Sequence, residues 1–205
     1  MDAVYDIWHD LCLVKRRVTK QLLLDAATTE FAAVGLAGAR VDRIADAAGV
    51  NKSQLYYYFK SKNGLFDAVL RCNLEALLHD VPLNGEDLPD YAVQLCDYYI
   101  ERPELLRLAT WNRLERVPKG DLFVEFEGHD VHKLQAIADA QRAGWVNPTL
   151  APSEAFSLVV AMAMTWSPVN VTYAASADDA ESEHTRRRAV IREAVSRALV
   201  PNDQG

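Results

Sequence analysis

The chain has 205 residues, half of them hydrophobic, and a formal net charge of −7 at pH 7. This length and hydrophobic content allow a substantial core in one domain or in two. Residues 1–65 carry nine Lys/Arg and seven Asp/Glu, whereas residues 66–205 carry thirteen and twenty-two. A mildly basic N-terminal region is therefore joined to an acidic remainder, and overall charge alone does not identify a partner.

Cysteine usage, N-terminal charge and hydropathy exclude several classes of protein. Three widely spaced cysteines with no CxxC pair indicate neither a zinc site nor a disulfide framework. The segment MDAVYDIWHD has acids where a signal peptide needs positive charge. The longest apolar run, residues 158–166, is far shorter than the ~20 residues of a membrane span. We expect a soluble, cytoplasmic protein with no membrane association.

Residues 1–18 form an N-terminal extension. Apolar residues recur there at three- and four-residue spacing, which predicts an amphipathic helix that ends near Lys15-Arg16-Arg17. This basic cluster can be an arm that reaches phosphate or the minor groove, or simply a solvated helix end or disordered tail.

A first firm helix is predicted over residues 19–34, ended by Gly35 and Gly38. The next helix begins near Val41 and lacks the usual cap, because Arg40 stands where Ser or Thr normally accepts from the first N–H groups. Asp42 suits a helix N-terminus but places an acid on a surface that should approach phosphate. We expect Arg43 to offset it.

Residues 41–62, VDRIADAAGVNKSQLYYYFKSK, read as two short helices joined by a tight turn. Gly49 allows the left-handed backbone that ends the first helix, and Asn51 can cap the second. That second helix is rich in Lys, Ser, Gln and Tyr and almost free of acids. A helix of this kind suits the DNA major groove.

Residues 20–70 resemble the DNA-binding domain of the TetR family of transcriptional regulators. The matching segments are LLDAATTEFAAVG, GARVDRIADAAGV and NKSQLYYYFKSKNGLF. Tyr58 departs from the family's common His, and Arg40 with Asp42 depart from its common Thr/Ser and Arg. The segment RPELLRLATWNRLER resembles the C-terminal ligand-binding domain of one TetR subgroup.

The resemblance implies DNA-contact roles by position. Lys52 would reach guanine acceptors, and Gln54 would pair with adenine. Tyr57 would contact phosphate or a thymine methyl, while Phe59 is expected to be core. Lys62 opens the fourth helix near a phosphate oxygen. The predicted DNA-binding residues are Arg43, Lys52, Ser53, Gln54, Tyr56, Tyr57, Tyr58 and Lys62.

The rest of the chain is predicted to be helical, with breaks at 81–85, 116–120, 144–148 and 167–168. We therefore expect an all-α protein, with a helix-turn-helix DNA-binding domain at 19–66. A larger helical domain at 67–205 would bind an effector and dimerise.

Two predicted helices imply a second copy of the chain. The segment SLVVAMAMTW is apolar nearly all round, so both of its sides need cover. The last helix carries an apolar stripe, edged by arginines, from Arg187 to Leu199. The resemblance implies a homodimer through helices at about 152–166 and 182–200, which would read two half-sites of a near-palindromic operator. The alternative is that both helices complete a monomeric core.

Aromatic and soft apolar side chains in the C-terminal region are typical of a small-molecule cavity, and equally of a helical core. The predicted ligand-binding residues are Tyr98, Trp111, Phe126, His129, Trp145, Met162 and Trp166.

The sequence thus predicts a DNA-binding transcriptional regulator, a ligand-responsive repressor that releases its operator when a small molecule binds. The alternative is a DNA-organising or partner-binding protein on the same scaffold without an effector. An enzyme is a third hypothesis, suggested only by His129 and His132 as possible metal ligands on one helix face. Since no further ligand, nucleophile motif or phosphate-binding loop accompanies them, we expect no metal, no cofactor and no enzymatic activity.

Overall fold

The computed structural model describes residues 2–122 and 131–201, with side chains from 17 to 122 and from 132 to 201. In these ranges it contains helices and no strand, so the all-α prediction is confirmed. The helices are α1 (Asp2–Gly38), α2 (Val41–Ala47), α3 (Lys52–Phe59), α4 (Lys62–Asp80), α5 (Leu88–Glu101), α6 (Glu104–Glu115), α7 (Val131–Arg142), α8 (Pro152–Ala163) and α9 (Glu181–Leu199), with a 3₁₀ turn at Met164–Trp166.

The chain divides into two compact units. Unit 1 comprises residues 1–73 and 107–122, and unit 2 comprises residues 74–106 and 123–205. Helices α4 and α6 each contribute residues to both units. The predicted domain boundary after residue 66 falls inside α4. Within the described residues, no helix has the length and apolar character needed to cross a membrane.

The core of unit 1 sets the positions of α2 and α3. Leu23, Phe31, Ile44, Leu55 and Phe66 are fully buried. The rings of Phe31 and Phe66 meet edge to face, with centroids 5.1 Å apart. Burial of large side chains from α1 to α4 fixes how the two short helices are presented, because α2 and α3 are too short to be stable alone.

A kink in α1 accommodates the second half of α6. Gly35 has φ +71°, and a Cβ there would lie 2.5 Å from the Glu115 carboxylate and 2.7 Å from the Trp111 ring. Trp111 Nε1 donates to the Ala32 carbonyl oxygen at 3.4 Å. The Ala37 N–H donates to Glu115 at 3.0 Å. Glycine is therefore required by both backbone conformation and close packing.

Unit 2 is built around α5, which packs against α8, α9 and the 3₁₀ turn. The inward face of α9 consists of Arg187, Ile191, Val195 and Leu199, all buried. Val190 on the same helix is half-exposed. The apolar residues predicted to form a single stripe on α9 therefore lie on two faces, one packed inside unit 2 and one turned outward. Residues four apart in a helix share a face, whereas adjacent residues point in different directions.

Candidate nucleic-acid interface

Helix α3 buries two side chains, half-buries one and exposes the rest. Leu55 and Phe59 face the core of unit 1, as expected for Phe59. Tyr57 is 60% exposed and Tyr56 is 40% exposed. Tyr58 is half-buried, with its ring edge to face against Tyr57 at 5.2 Å between centroids. The outer side of α3 therefore presents the predicted contact residues Lys52, Ser53, Gln54, Tyr56 and Tyr57.

A capping box fixes the start of α3. The Asn51 side chain accepts a hydrogen bond from the Gln54 N–H at 2.9 Å. The Gln54 side-chain oxygen in turn accepts from the Asn51 N–H at 3.2 Å. The cap predicted for Asn51 is present. Because the Gln54 oxygen is engaged, its NH₂ group is the part left to meet a base, and a two-bond pairing with adenine would require the box to open.

The start of α2 is capped from another helix. Arg40 gives no side-chain cap. Its N–H instead donates to Glu30 of α1 at 3.1 Å. Arg43 lies 3.6 Å from the same carboxylate, which is only 11% exposed. Glu30 therefore satisfies one N–H at a helix start that the sequence leaves without a Ser or Thr.

The expectation that Arg43 offsets Asp42 is wrong. Asp42 pairs with Lys52, whose Nζ lies 2.9 Å from its carboxylate, while Arg43 is held by Glu30. The hydrogen bond that Lys52 donates to the Asp42 carboxylate is the main cause that raises the pKa of Lys52. The first turns of α2 and α3 are thus joined by an exposed ion pair that includes the lysine predicted to read guanine.

A strained turn ends α3. Lys60 has φ +66° and ψ −41°. The Ser61 N–H donates to the Phe59 carbonyl at 2.7 Å across it. Lys60 Nζ lies 5.7 Å from the centre of the Tyr57 ring and donates to the Tyr57 carbonyl at 3.1 Å. The turn reverses the chain so that Ser61 can cap α4 by accepting from the Gly64 N–H at 2.9 Å.

Lys62 has partners inside unit 1. Its Nζ donates to the carbonyl oxygens of Ala39 at 2.8 Å and Ala37 at 3.3 Å. These carbonyls end α1, where free acceptors and the negative end of the helix dipole favour a cation. The structure gives Lys62 a capping contact that the motif did not predict, and one N–H of its ammonium remains for a phosphate.

The predicted ligand-binding residues do not all share one unit. Trp111 belongs to unit 1, where its ring packs on Gly35. Tyr98 is buried and lies under the Arg102 guanidinium, 5.2 Å from its carbon to the ring centre. Met162 and Trp166 are half-buried, and Trp145 is 52% exposed. Phe126 and His129 lie outside the described residues.

Unit 2 also contains a small polar cleft that the sequence did not suggest. It has a volume of about 100 Å³ and is lined by His184, Arg188 and the carboxylates of Asp97, Glu101 and Glu181. Drug-sized ligand sites span roughly 300–1,000 Å³ and are mostly apolar. The cleft therefore suits ions or water better than an aromatic effector.

Comparison with known proteins identifies the family. Residues 23–69 match the family model for bacterial regulatory proteins of the tetR family. Residues 87–197, more than half of the chain, match the model for the tetracyclin repressor-like C-terminal domain. The chain belongs to the TetR family.

Similarity to individual proteins extends through most of the chain. It is 36% identical over 149 residues to the HTH-type transcriptional repressor SCO4008 of Streptomyces coelicolor, covering 71% of this chain and 76% of that protein. It is 33% identical over 147 residues to the HTH-type transcriptional regulator RutR of Escherichia coli strain K12, covering 68% of each. The solved structure of SCO4942 from Streptomyces coelicolor superposes with a TM-score of 0.71 at 36% identity, covering 88% of this chain and 98% of that one.

Membership of the TetR family confirms the predicted resemblance and the predicted function. The protein is a helix-turn-helix transcriptional regulator, in a family where ligand-responsive repression is typical. The relatives are regulators rather than enzymes, so the alternative without an effector and the enzyme hypothesis are not favoured. The contacts of individual residues with DNA or ligand remain predictions. The helix-turn-helix motif did not predict the hydrogen bond from Arg40 to Glu30 or the Asp42–Lys52 ion pair. Each of these contacts joins residues that are ten positions apart in the sequence.

Proposed function

We propose that the protein is a repressor that binds a near-palindromic operator as a homodimer and is released when a small molecule binds unit 2. The proposal rests on the structure of α3, in which the helix start is capped and the outward side chains are exposed. Its N-terminus is fixed by a complete capping box, while Lys52, Ser53 and Tyr57 remain exposed. A helix with a rigid start and free side chains at its first turn is what major-groove reading requires.

The outward faces of α8 and α9 support a homodimer. Leu158 is 39% exposed and Val190 is 47% exposed, although each lies on a helix whose other face is buried in unit 2. Ala161 and Ala194 on the same helices are exposed as well. These small and apolar side chains can be covered by the same two helices of a second copy. Two copies would place one α3 at each half-site of the operator.

The effector site is proposed within unit 2, between α5 and the segment formed by α8 and the 3₁₀ turn. Tyr98 is on α5, while Met162 and Trp166 are on that segment, and the two elements pack together. Trp145 would stand at its exposed edge. An effector acts only if it binds one conformation more tightly than the other, so it must prefer the conformation in which the two α3 helices fit the operator poorly.

The test is operator binding by α3 variants. DNA fragments bound by the native protein are selected from its genome, and the affinity of Lys52→Ala and Tyr57→Ala for the recovered operator is measured by gel shift. We expect each change to weaken binding by about two orders of magnitude, because both contacts lie at the centre of the readout. Lys119→Ala, which removes an exposed cation from the loop after α6, is the matched control and should bind normally. Native affinity in both α3 variants would refute the assignment.

The same DNA tests the effector proposal. Compounds are screened for release of the native dimer from the operator, and any active compound is then tested on Met162→Trp. We expect the larger side chain to fill the site and abolish release while leaving operator affinity unchanged. Release of Met162→Trp at native compound concentrations would place the effector elsewhere.

A further inference from the structure

The side-chain amide of Gln54 is held in one orientation at the start of α3. A backbone N–H only donates, so the atom that accepts from the Asn51 N–H at 3.2 Å is the Gln54 oxygen, Oε1. In return, the Gln54 N–H donates to the Asn51 side chain at 2.9 Å. These two bonds complete the capping box, and they leave the NH₂ end of the amide free.

The free NH₂ group acts only as a hydrogen-bond donor. It offers two N–H groups and does not accept. Gln54 is exposed, and its NH₂ group has no acceptor among the described residues. With the capping box closed, Gln54 therefore meets the edge of a base as a donor alone.

The four bases differ in how well they accept from a donor in the major groove. Guanine presents two neighbouring acceptors, O6 and N7, whereas adenine presents N7 beside its N6 donor. Thymine presents one acceptor beside its methyl group, and cytosine presents a donor. A closed capping box therefore favours guanine, because both N–H groups of the amide can be directed at acceptors.

A two-bond pair with adenine competes with the capping box. Such a pair needs Oε1 to accept from adenine N6 while the NH₂ group donates to N7. The amide edge that carries both atoms must then turn from Asn51 to the base, so the bond from the Asn51 N–H is lost. One hydrogen bond is gained for one broken, so the pairing adds little net free energy. The usual preference of glutamine for adenine is thereby removed.

We propose that Gln54 is a specificity-determining residue that selects guanine, and not adenine, in each half-site of the operator. This role of Gln54 rests on the proposed function, that α3 reads an operator. It replaces the adenine contact expected from the sequence, because the hydrogen bond from Asn51 occupies the oxygen that adenine would need.

The experiment measures the affinity of the native protein and of Gln54→Ala for operators that carry each base pair in turn at each half-site position. The position that Gln54 reads is the one at which Gln54→Ala abolishes the base preference. We expect the native protein to prefer guanine over adenine there by about fivefold, the effect of one hydrogen bond. Preference for any other base at that position, or no position that responds to Gln54→Ala, would overturn the inference.

Gln54→Glu reverses the chemistry of the free end and keeps the capping box. One carboxylate oxygen accepts from the Asn51 N–H, as glutamate does at this position of capping boxes, and the other presents an acceptor to the base. We expect the preference at the same position to change from guanine to cytosine, whose N4 group donates. An unchanged preference for guanine would show that another residue reads the base, against the role of Gln54.

Asn51→Ser is the matched control for the capping residue. Serine also caps a helix start and keeps the backbone N–H, so both bonds of the box can form. The preference for guanine should stay at the native value. Its loss would assign the readout to the Asn51 side chain and refute the role of Gln54.

The base preference due to Gln54 is tested separately from operator binding by α3. If Lys52→Ala and Tyr57→Ala bind the operator as well as the native protein, α3 does not read it and the proposed function fails first. If those variants lose binding while Gln54→Ala leaves every base preference intact, α3 reads the operator and only the role of Gln54 is refuted.

Discussion

Helices α3 and α9 both carry basic side chains but pair them differently. Each of the five arginines of α9 forms an ion pair with an acid of unit 2: Arg186 with Glu183, Arg187 with Asp179, Arg188 with Asp97 and Glu181, Arg192 with Asp90, and Arg197 with Glu193. Helix α3 has Lys52 on an exposed acid and otherwise presents tyrosines and small polar groups. The buried arginine of α9, Arg187, is thus committed within the fold, whereas the outer side of α3 is exposed to solvent.

Arg187 of α9 is far more buried than Lys52 of α3. The Arg187 side chain is 3% exposed, and Asp179 lies 2.7 Å from it. Charges removed from water must keep their partners, whereas charges in water exchange partners readily. Substitutions on the buried side of α9 should therefore reduce stability, and substitutions on the outer side of α3 should reduce DNA binding without unfolding the protein.

The largest stability effect is expected for Arg187→Ala. It removes a buried side chain and its ion pair, and it leaves a cavity, so we expect the free energy of unfolding to fall by about 3 kcal/mol in urea titrations. Arg186→Ala, which removes the adjacent and largely exposed arginine, should be indistinguishable from the native protein. Equal losses in the two variants would mean that burial does not separate the arginines of α9.

Gly35→Ala tests whether unit 1 depends on packing between α1 and α6. The substitution places a Cβ against Glu115 and Trp111 at φ +71°. We expect a loss of about 2 kcal/mol or more, since backbone strain and overpacking both contribute. Gly49→Ala is the matched control, because φ there is +66° and nothing lies within 4 Å of the added carbon. Its loss should be about 1 kcal/mol from strain alone. Chemical denaturation of both variants separates the packing contribution, and equal losses would exclude it.

Local patterns in the sequence were enough to predict the local structure around α3. The capping residue Asn51, the turn at Gly49 and the alternation of buried Leu55 and Phe59 with exposed tyrosines all act within a few residues of one another. These features depend on residues that are close together in the sequence, so a sequence motif can predict them. The fold class followed in the same way from helical spacing and helix breakers.

Long-range partners could not be predicted in this way. Trp111 has the aromatic side chain expected at a ligand-binding site, but its ring packs on Gly35 in unit 1. The partners of Asp42 and Lys62 are ten or more residues away and depend on how α1, α2, α3 and α4 pack. Aromatic content and charge at a position do not state which neighbour the fold brings to it.

A smaller effect is expected for Lys62→Met. This substitution tests whether a basic residue of unit 1 stabilises the fold, as Arg187 of α9 does in unit 2. Losing two hydrogen bonds to the carbonyls that end α1 should lower the free energy of unfolding by about 1 kcal/mol. If the fold is the main role of Lys62, the salt slope for DNA binding should stay at the native value. A slope flatter by about one unit, with native stability, would instead assign Lys62 to a phosphate. Thermal unfolding and salt titration on one preparation distinguish the two.

The smallest effect is expected for Lys60→Gly, at the turn that ends α3. Lys60 is the one described residue other than glycine with positive φ. Glycine should relieve the strain, although it also increases the freedom of the unfolded chain and loses the contact with Tyr57. We therefore expect a net gain of only about 0.5 kcal/mol in the free energy of unfolding. Lys60→Ala keeps the strain and loses the same contact, so it should be less stable than the native protein. If Lys60→Gly were also less stable, the ammonium group over Tyr57 would outweigh the strain, and Lys60 would belong with Arg187 of α9 as a cation committed to the fold.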